Sequence, residues 1–204
     1  MSAWGGLPFR FLLRDVKSKI PTIRYWIDSQ DRVVRVNDEW AVFASKNDGG
    51  PVGSAVGILG QPLWSFVKDA SLRIIYRELV ILARNGRPVD FSFRCDAPSF
   101  RRVFKMRLTG DNAGVVEFAS TLESEEARDA VALLDCRQPR NEEFVRMCSW
   151  CQRVDARGQW VPIETAVVEL GLIKGPSLPA ITHTLCEECN GKVMAQISAL
   201  ESGA

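Results

Sequence analysis

Long apolar runs are missing from this chain: nothing in it approaches the roughly 20 consecutive residues that a membrane-spanning helix needs, so no membrane partner is expected. The opening MSAWGGLPFRFLLRDVKSK lacks the charged start, apolar centre and small-residue cleavage site of a secretory signal, which places the expected location in the cytoplasm. An excess of either charge is missing too. Lys and Arg number 26 against 25 Asp and Glu, so composition gives no reason to expect a polybasic anchor or the long-range pull of a nucleic-acid binder. There is a single histidine, and no phosphate-binding glycine loop, no nucleophile with a histidine partner and no kinase, cyclase or helix-turn-helix segment after residue 122. The expectation is a protein that is not an enzyme.

What is present is an ordinary globular composition over 204 residues, enough for one large domain or two small ones. Residues 24–28 and 32–36 are β-branched and aromatic around the turn Ser29-Gln30-Asp31, the pattern of a hairpin. Asn37 then caps a helix whose Trp40, Phe43 and Ala44 face inward, until the breakers Asn47-Asp48-Gly49-Gly50-Pro51. Residues 72–85 have helical periodicity through Leu72, Ile75, Leu79 and Leu82. Three strands follow at 89–94, 101–109 and 115–122, and the helix formers of ESEEARDAVALLD predict a connector helix. The expected division is an N-terminal arm or helix (1–21, amphipathic over 9–20), a first domain (22–122), a connector helix (123–143) and a four-cysteine module (144–204).

The run Tyr25-Trp26-Ile27-Asp28, then Asp31-Arg32-Val33-Val34-Arg35-Val36-Asn37, then Trp40 and Phe43, resembles the PAS domain family over about 22–122. The resemblance implies an α+β fold, a five-stranded antiparallel sheet with helices on one face and a ligand space between them. It also implies departures: no Asn-Cys-Arg flavin motif in Leu59-Gly60-Gln61-Pro62-Leu63-Trp64-Ser65-Phe66, no histidine near the pocket for haem, and Ala119-Ser120-Thr121 in place of Asp-x-Thr.

Trp40, Phe43, Trp64, Phe66, Tyr76, Phe91, Phe93, Phe104, Met106 and Phe118 fall on inward faces. They either wall a pocket for a flat apolar ligand or fill a close-packed core. The arginines of Phe93-Arg94-Cys95-Asp96-Ala97-Pro98-Ser99-Phe100-Arg101-Arg102 give a second candidate site: Arg94, Arg101 and Arg102 either bind an anion or partner, or pair internally with Asp96. Cys95 and Cys136 read as plain buried cysteines.

The most specific chemistry is Cys148-Ser149-Trp150-Cys151 with Cys186-Glu187-Glu188-Cys189. Two turns of this spacing offer four thiolates to one ion, as in closed structural zinc sites. Arg146, Arg153 and Lys192 stand near to offset the charge, and His183 is a neighbour that could donate to a sulfur or replace a ligand. A turn at Gly158-Gln159-Trp160-Val161-Pro162 and a helix over 163–172 are predicted in the spacer, with Trp150, Trp160, Val167 and Leu170 as a small core. An iron–sulfur cluster uses the same four ligands. The segment resembles the C-S-W-C…H-x-x-C-x-x-C tail attached to PAS domains of some bacterial signalling proteins, through these cysteines with Gly158-Gln159-Trp160, Glu164 and Thr182-His183-Thr184-Leu185.

Together these readings predict a bacterial, non-enzymatic signalling sensor or adaptor. Its PAS-like domain would detect a small molecule or partner and its structural zinc module would dock a protein partner, with a homodimer through the N-terminal helix. A redox or metal-responsive switch through the four cysteines is the second reading. A nucleic-acid binder is third, because Arg146, Arg153, Arg157, Lys174 and Lys192 are interleaved with Glu164, Glu169, Glu187 and Glu188.

Overall fold

The computed structural model describes residues 22–47, 55–172 and 177–203; the expected N-terminal arm and Lys174 lie outside them. The first hairpin pairs β1 (Thr22–Ile27) with β2 (Val33–Val36). Its turn closes because the Asp28 carboxylate accepts from the backbone N–H groups of Gln30 and Arg32, each at 2.9 Å. Asn37 caps α1 (Asp38–Lys46) as expected: its Oδ1 accepts from the Trp40 N–H at 3.3 Å, while its Nδ2 donates to the Thr22 carbonyl at 2.7 Å. One side chain thus starts the helix and fixes it to β1.

After α2 (Ala55–Ile58) and a 3-10 turn at Leu63–Ser65, Asp69 caps α3 (Ala70–Arg84) by accepting from Leu72 N–H at 2.7 Å. The strands β3 (Val89–Arg94), β4 (Phe100–Gly110) and β5 (Val116–Ala127) complete an antiparallel sheet in the order β2-β1-β5-β4-β3. Along β4, Arg102, Phe104, Met106 and Leu108 are buried while Arg101, Lys105 and Arg107 are exposed, the period of a sheet covered on one face. Helices α1 to α3 cover that face, and the α+β architecture matches the sequence expectation. Gly110 lets α3 approach closely: a Cβ there would meet the Ala83 carbonyl oxygen at 2.4 Å.

The connector helix is not formed. Strand β5 continues through Ala127, with Glu125 and Glu126 opposite Arg102 and Arg101 of β4, and only a 3-10 turn at Ala132–Leu134 follows. Helix propensity favours those residues by tenths of a kcal/mol each; a paired ladder with opposite charges across it outweighs that.

Beyond it lies a second sheet: β6 (Arg140–Cys148), β7 (Val154–Ala156), β8 (Gln159–Val161) and β9 (Leu178–Thr184), in the order β8-β7-β6-β9 with β6 and β9 parallel. Helix α4 (Ile163–Glu169) packs on it. The core here is Val131, Leu133, Val145, Met147, Val154, Ile163, Ala166 and Leu178, with Val167 and Leu170 against it. Two expected members are elsewhere. Trp160 is half-buried under the Arg146 guanidinium, 5.7 Å from its ring centroid. Trp150 packs into the first core.

The final helix, α5 (Glu187–Ser202), also crosses to the first core, burying Val193 and Ile197 there. Gln196 Nε2 donates to the Asp90 carbonyl of β3 at 2.6 Å, and the Arg94 N–H donates to the Trp150 carbonyl at 2.8 Å. The outer edge of β3, which would otherwise offer unpaired backbone groups, is therefore closed by the cysteine-bearing segments.

Candidate metal centre

The first cysteine pair sits at the tight turn from β6 to β7. Cys148 N–H donates to the Arg153 carbonyl at 2.8 Å, Gln152 N–H donates to the Cys148 carbonyl at 2.9 Å, and Gln152 takes a left-handed φ of 58° to complete the turn. The second pair begins α5: Cys186 is its N-cap, and the Cys186 sulfur accepts from Cys189 N–H at 3.4 Å. The parallel β6–β9 pairing brings the two together, since Cys148 is in register with Thr184 and Ser149 N–H donates to the Thr184 carbonyl at 2.8 Å.

The four sulfurs lie within 4.8 Å of one another, with Cys151 and Cys186 at 3.8 Å. Four thiolates at about 2.3 Å from one tetrahedral ion stand about 3.8 Å apart, so the donor set fits a single metal such as zinc. Cys148 and Cys186 are buried and Cys151 and Cys189 half-buried, a closed site.

Without a cation Cys148, Cys151 and Cys189 cannot all ionise. A hydrogen bond from the Cys151 thiol, with backbone N–H groups, holds Cys148 down to about 4. Burial, the Cys186 sulfur and the negative charge on Cys148 push Cys189 up to about 12; the bond to Cys148 likewise raises Cys151. A bound divalent ion removes this mutual opposition by drawing off the remaining protons. The N-terminus of α5 adds its partial positive charge. Around the rim Glu188 accepts from Arg153 Nη1 at 2.7 Å and from Lys192 Nζ at 2.5 Å, which holds both cations beside the sulfurs. Arg146 turns away to pair with Asp155.

His183 lies outside the sulfur cluster, facing Met147 across the β6–β9 ladder. It lines the rim of a cavity of about 650 Å³ together with Tyr25, Trp40, Phe66, Tyr76 and Ser149. Shielding from water by the cavity wall lowers its pKa, against the opposing effect of Asp69 and Cys148. This cavity has one wall from the first sheet and its helices and another from Ser149 and the 181–183 segment of β9, next to Cys148. Burial drives the Tyr76 hydroxyl to about 12 and raises Tyr25 well above its usual value, so both are neutral there.

The expected pocket aromatics divide. Trp40, Phe66 and Tyr76 line this cavity, while Trp40, Phe43 and Phe104 line a separate groove of about 1070 Å³. Phe91, Met106 and Phe118 are packed core, and Phe93 stacks on Phe104 at 5.8 Å. Trp64 points elsewhere: its Nε1 donates to Asp31 at 2.7 Å and Arg77 covers its ring.

The three candidate arginines also part company. Arg94 pairs with Asp96, whose side chain is fully buried, and Arg101 donates to Glu164 of α4 at 2.8 Å. Arg128, unnoticed in the sequence because it stood inside the expected helix, bridges Glu164 at 2.9 Å and Asp96 at 3.2 Å and is itself only 7% exposed. Burial alone would raise the Glu164 carboxyl, yet the hydrogen bonds from Arg101 and Arg128 hold it at about 2. Cys95 is half-buried with its thiol pKa raised by burial, whereas Cys136 is exposed rather than buried, on the turn after Leu134.

No protein-family model matches the chain, and no curated protein matches it. Among solved structures, a domain of an HTR-like protein from Haloarcula marismortui is similar at 11% identity and a TM-score of 0.35, over 50% of this chain and 98% of that one. No helix among the described residues is long and apolar enough to cross a membrane.

Proposed function

We propose that this chain is a non-enzymatic sensor or adaptor whose PAS-like sheet and helices hold a small ligand and whose four cysteines hold one structural zinc ion. The observation that carries it is the gathering of Cys148, Cys151, Cys186 and Cys189 into one closed set with sulfurs within 4.8 Å. The strand order β2-β1-β5-β4-β3 with helices on one face supports the PAS-like part. Close sulfur spacing favours a single ion over an iron–sulfur cluster, whose several metal atoms spread their thiolates farther. Ligand and metal share a wall: Ser149 lines the 650 Å³ cavity between two metal-binding cysteines, so a bound ligand presses on the turn that holds the ion. The surface that responds would then dock a protein partner.

Elemental analysis and an absorption spectrum of protein purified in reducing buffer test this, beside a Cys148→Ser, Cys186→Ser variant. One equivalent of zinc, lost in the variant, with no visible absorption supports the reading. Iron with visible absorption overturns it and favours a redox switch at the same cysteines.

A further inference from the structure

The groove of about 1070 Å³ between α1, the Phe100 end of β4 and β5, and the turn at 134–137 has Arg102 and Asp96 in its lining. Of the neighbouring arginines, Arg94, Arg101 and Arg128 are taken up in ion pairs with Asp96 and Glu164. Arg102 is left over. The residue is 8% exposed, its Nε donates to the Cys95 carbonyl at 2.8 Å, and its guanidinium carbon lies 5.4 Å from the Phe43 ring centroid. Among the described residues its guanidinium forms no ion pair, although Glu125 stands opposite it across the β4–β5 ladder, and the residue lines the groove. A nearly buried cation held in no close ion pair is costly, and a fork of two parallel donors is the geometry that holds a carboxylate or phosphate.

The rest of the lining fits the body such an anion would carry. Trp40, Phe43, Phe104 and Leu122 present an apolar, aromatic-rich wall, with Phe43 edge-on to Phe104 at 5.7 Å between centroids. Of the acids in the lining, Asp96 is held by Arg94 and Arg128, Asp135 is held by Arg137, Glu39 accepts from Asn37, and Glu125 is exposed, opposite Arg102 on the ladder.

We infer that this groove is a second ligand site, separate from the cavity beside the metal centre, and that it takes a small molecule with a flat apolar body and one carboxylate or phosphate, anchored by Arg102. Anion recognition here does not depend on the metal.

Calorimetric titration of the full zinc-loaded chain with naphthoate and with the uncharged naphthamide tests it, on the wild type and on Arg102→Gln and Arg102→Lys. The wild type is expected to bind naphthoate about tenfold or more tightly than naphthamide. Arg102→Gln should erase that preference while keeping metal content and thermal midpoint, and Arg102→Lys should restore part of it. Equal affinity for the two probes, no binding of naphthoate at millimolar concentration, or an undiminished preference in Arg102→Gln overturns the inference. The probe comparison on the wild type stands even where the glutamine variant fails to fold, and zinc content reports on the metal site independently.

Discussion

The Trp150 ring lies 4.6 Å from the Phe91 ring, centroid to centroid, although Trp150 belongs to the turn between Cys148 and Cys151 and Phe91 to the first sheet. Tyr76 of α3 closes on the same indole at 5.7 Å. A residue flanked by two cysteines of the candidate metal site is thus part of the hydrophobic core of the other sheet, and the cysteine cluster and the core hold each other in place. Trp150→Ala is expected to leave zinc stoichiometry at one while lowering stability by about 2–4 kcal/mol in urea unfolding. Loss of zinc without loss of stability would show that the indole serves the metal turn alone.

The same relationship decides what chelation does. If the metal held only its own small module, removing it would leave the first core intact. But α5 begins at Cys186 and buries Val193 and Ile197 in that core, so releasing the helix start frees the residues that close α3 and β3. Treatment with a high-affinity zinc chelator is expected to expose four reactive thiols beyond Cys95 and Cys136 and to red-shift Trp150 emission in parallel. The thermal midpoint of the whole chain should fall with them. A fluorescence change that lags far behind thiol exposure would mean that α5 stays docked without metal.

The residues that carried local signals were readable in the sequence: Asn37 as a cap, Leu72, Ile75, Leu79 and Leu82 as one face of α3, and the two cysteine pairs as one set. What could not be read depends on partners distant in the chain. Residues 123–127 look helical until Arg101 and Arg102 pair with them across the ladder. Trp150 looks like a module residue until β6 and β9 deliver it to Phe91. Arg128 could not be singled out, because its value comes from Asp96 and Glu164, 32 and 36 positions away in sequence. The parallel β6–β9 pair was hidden for the same reason, since β9 has no hairpin turn to announce it.

Gly110 offers a test of how closely α3 lies on the sheet. A Cβ at that position would stand 2.4 Å from the Ala83 carbonyl oxygen and 2.9 Å from Arg84 Cα, both backbone atoms that cannot swing aside. Gly110→Ala should therefore cost about 1–3 kcal/mol by forcing the helix end off β4, and it should also weaken the Arg84 contacts to the Asp28 carbonyl and Asp31 that close the first hairpin. Gly86→Ala is a useful contrast. It has open space around it but a φ of 75°, so its smaller cost would be backbone strain alone.

Acid should loosen the joint between the two sheets through Glu164. Its carboxyl titrates at about 2 in the folded chain against about 4.3 when unfolded. A depressed folded value stabilises fully above the unfolded value, and that stability is lost as pH falls from about 4.5 towards 2. The carboxylate is about one-third exposed, so screening limits the effect, and Glu164→Gln is expected to cost about 1 kcal/mol at pH 7. Protons also compete for the cysteine sulfurs, but that loss falls on wild type and variant alike. The informative quantity is therefore the difference in urea stability between the two, which should fall by about half by pH 3 and shrink towards zero at about pH 2 and below. A gap that stays constant across that range would mean that Arg101 and Arg128 are held by the Asp96 cluster and the backbone rather than by the charge on Glu164.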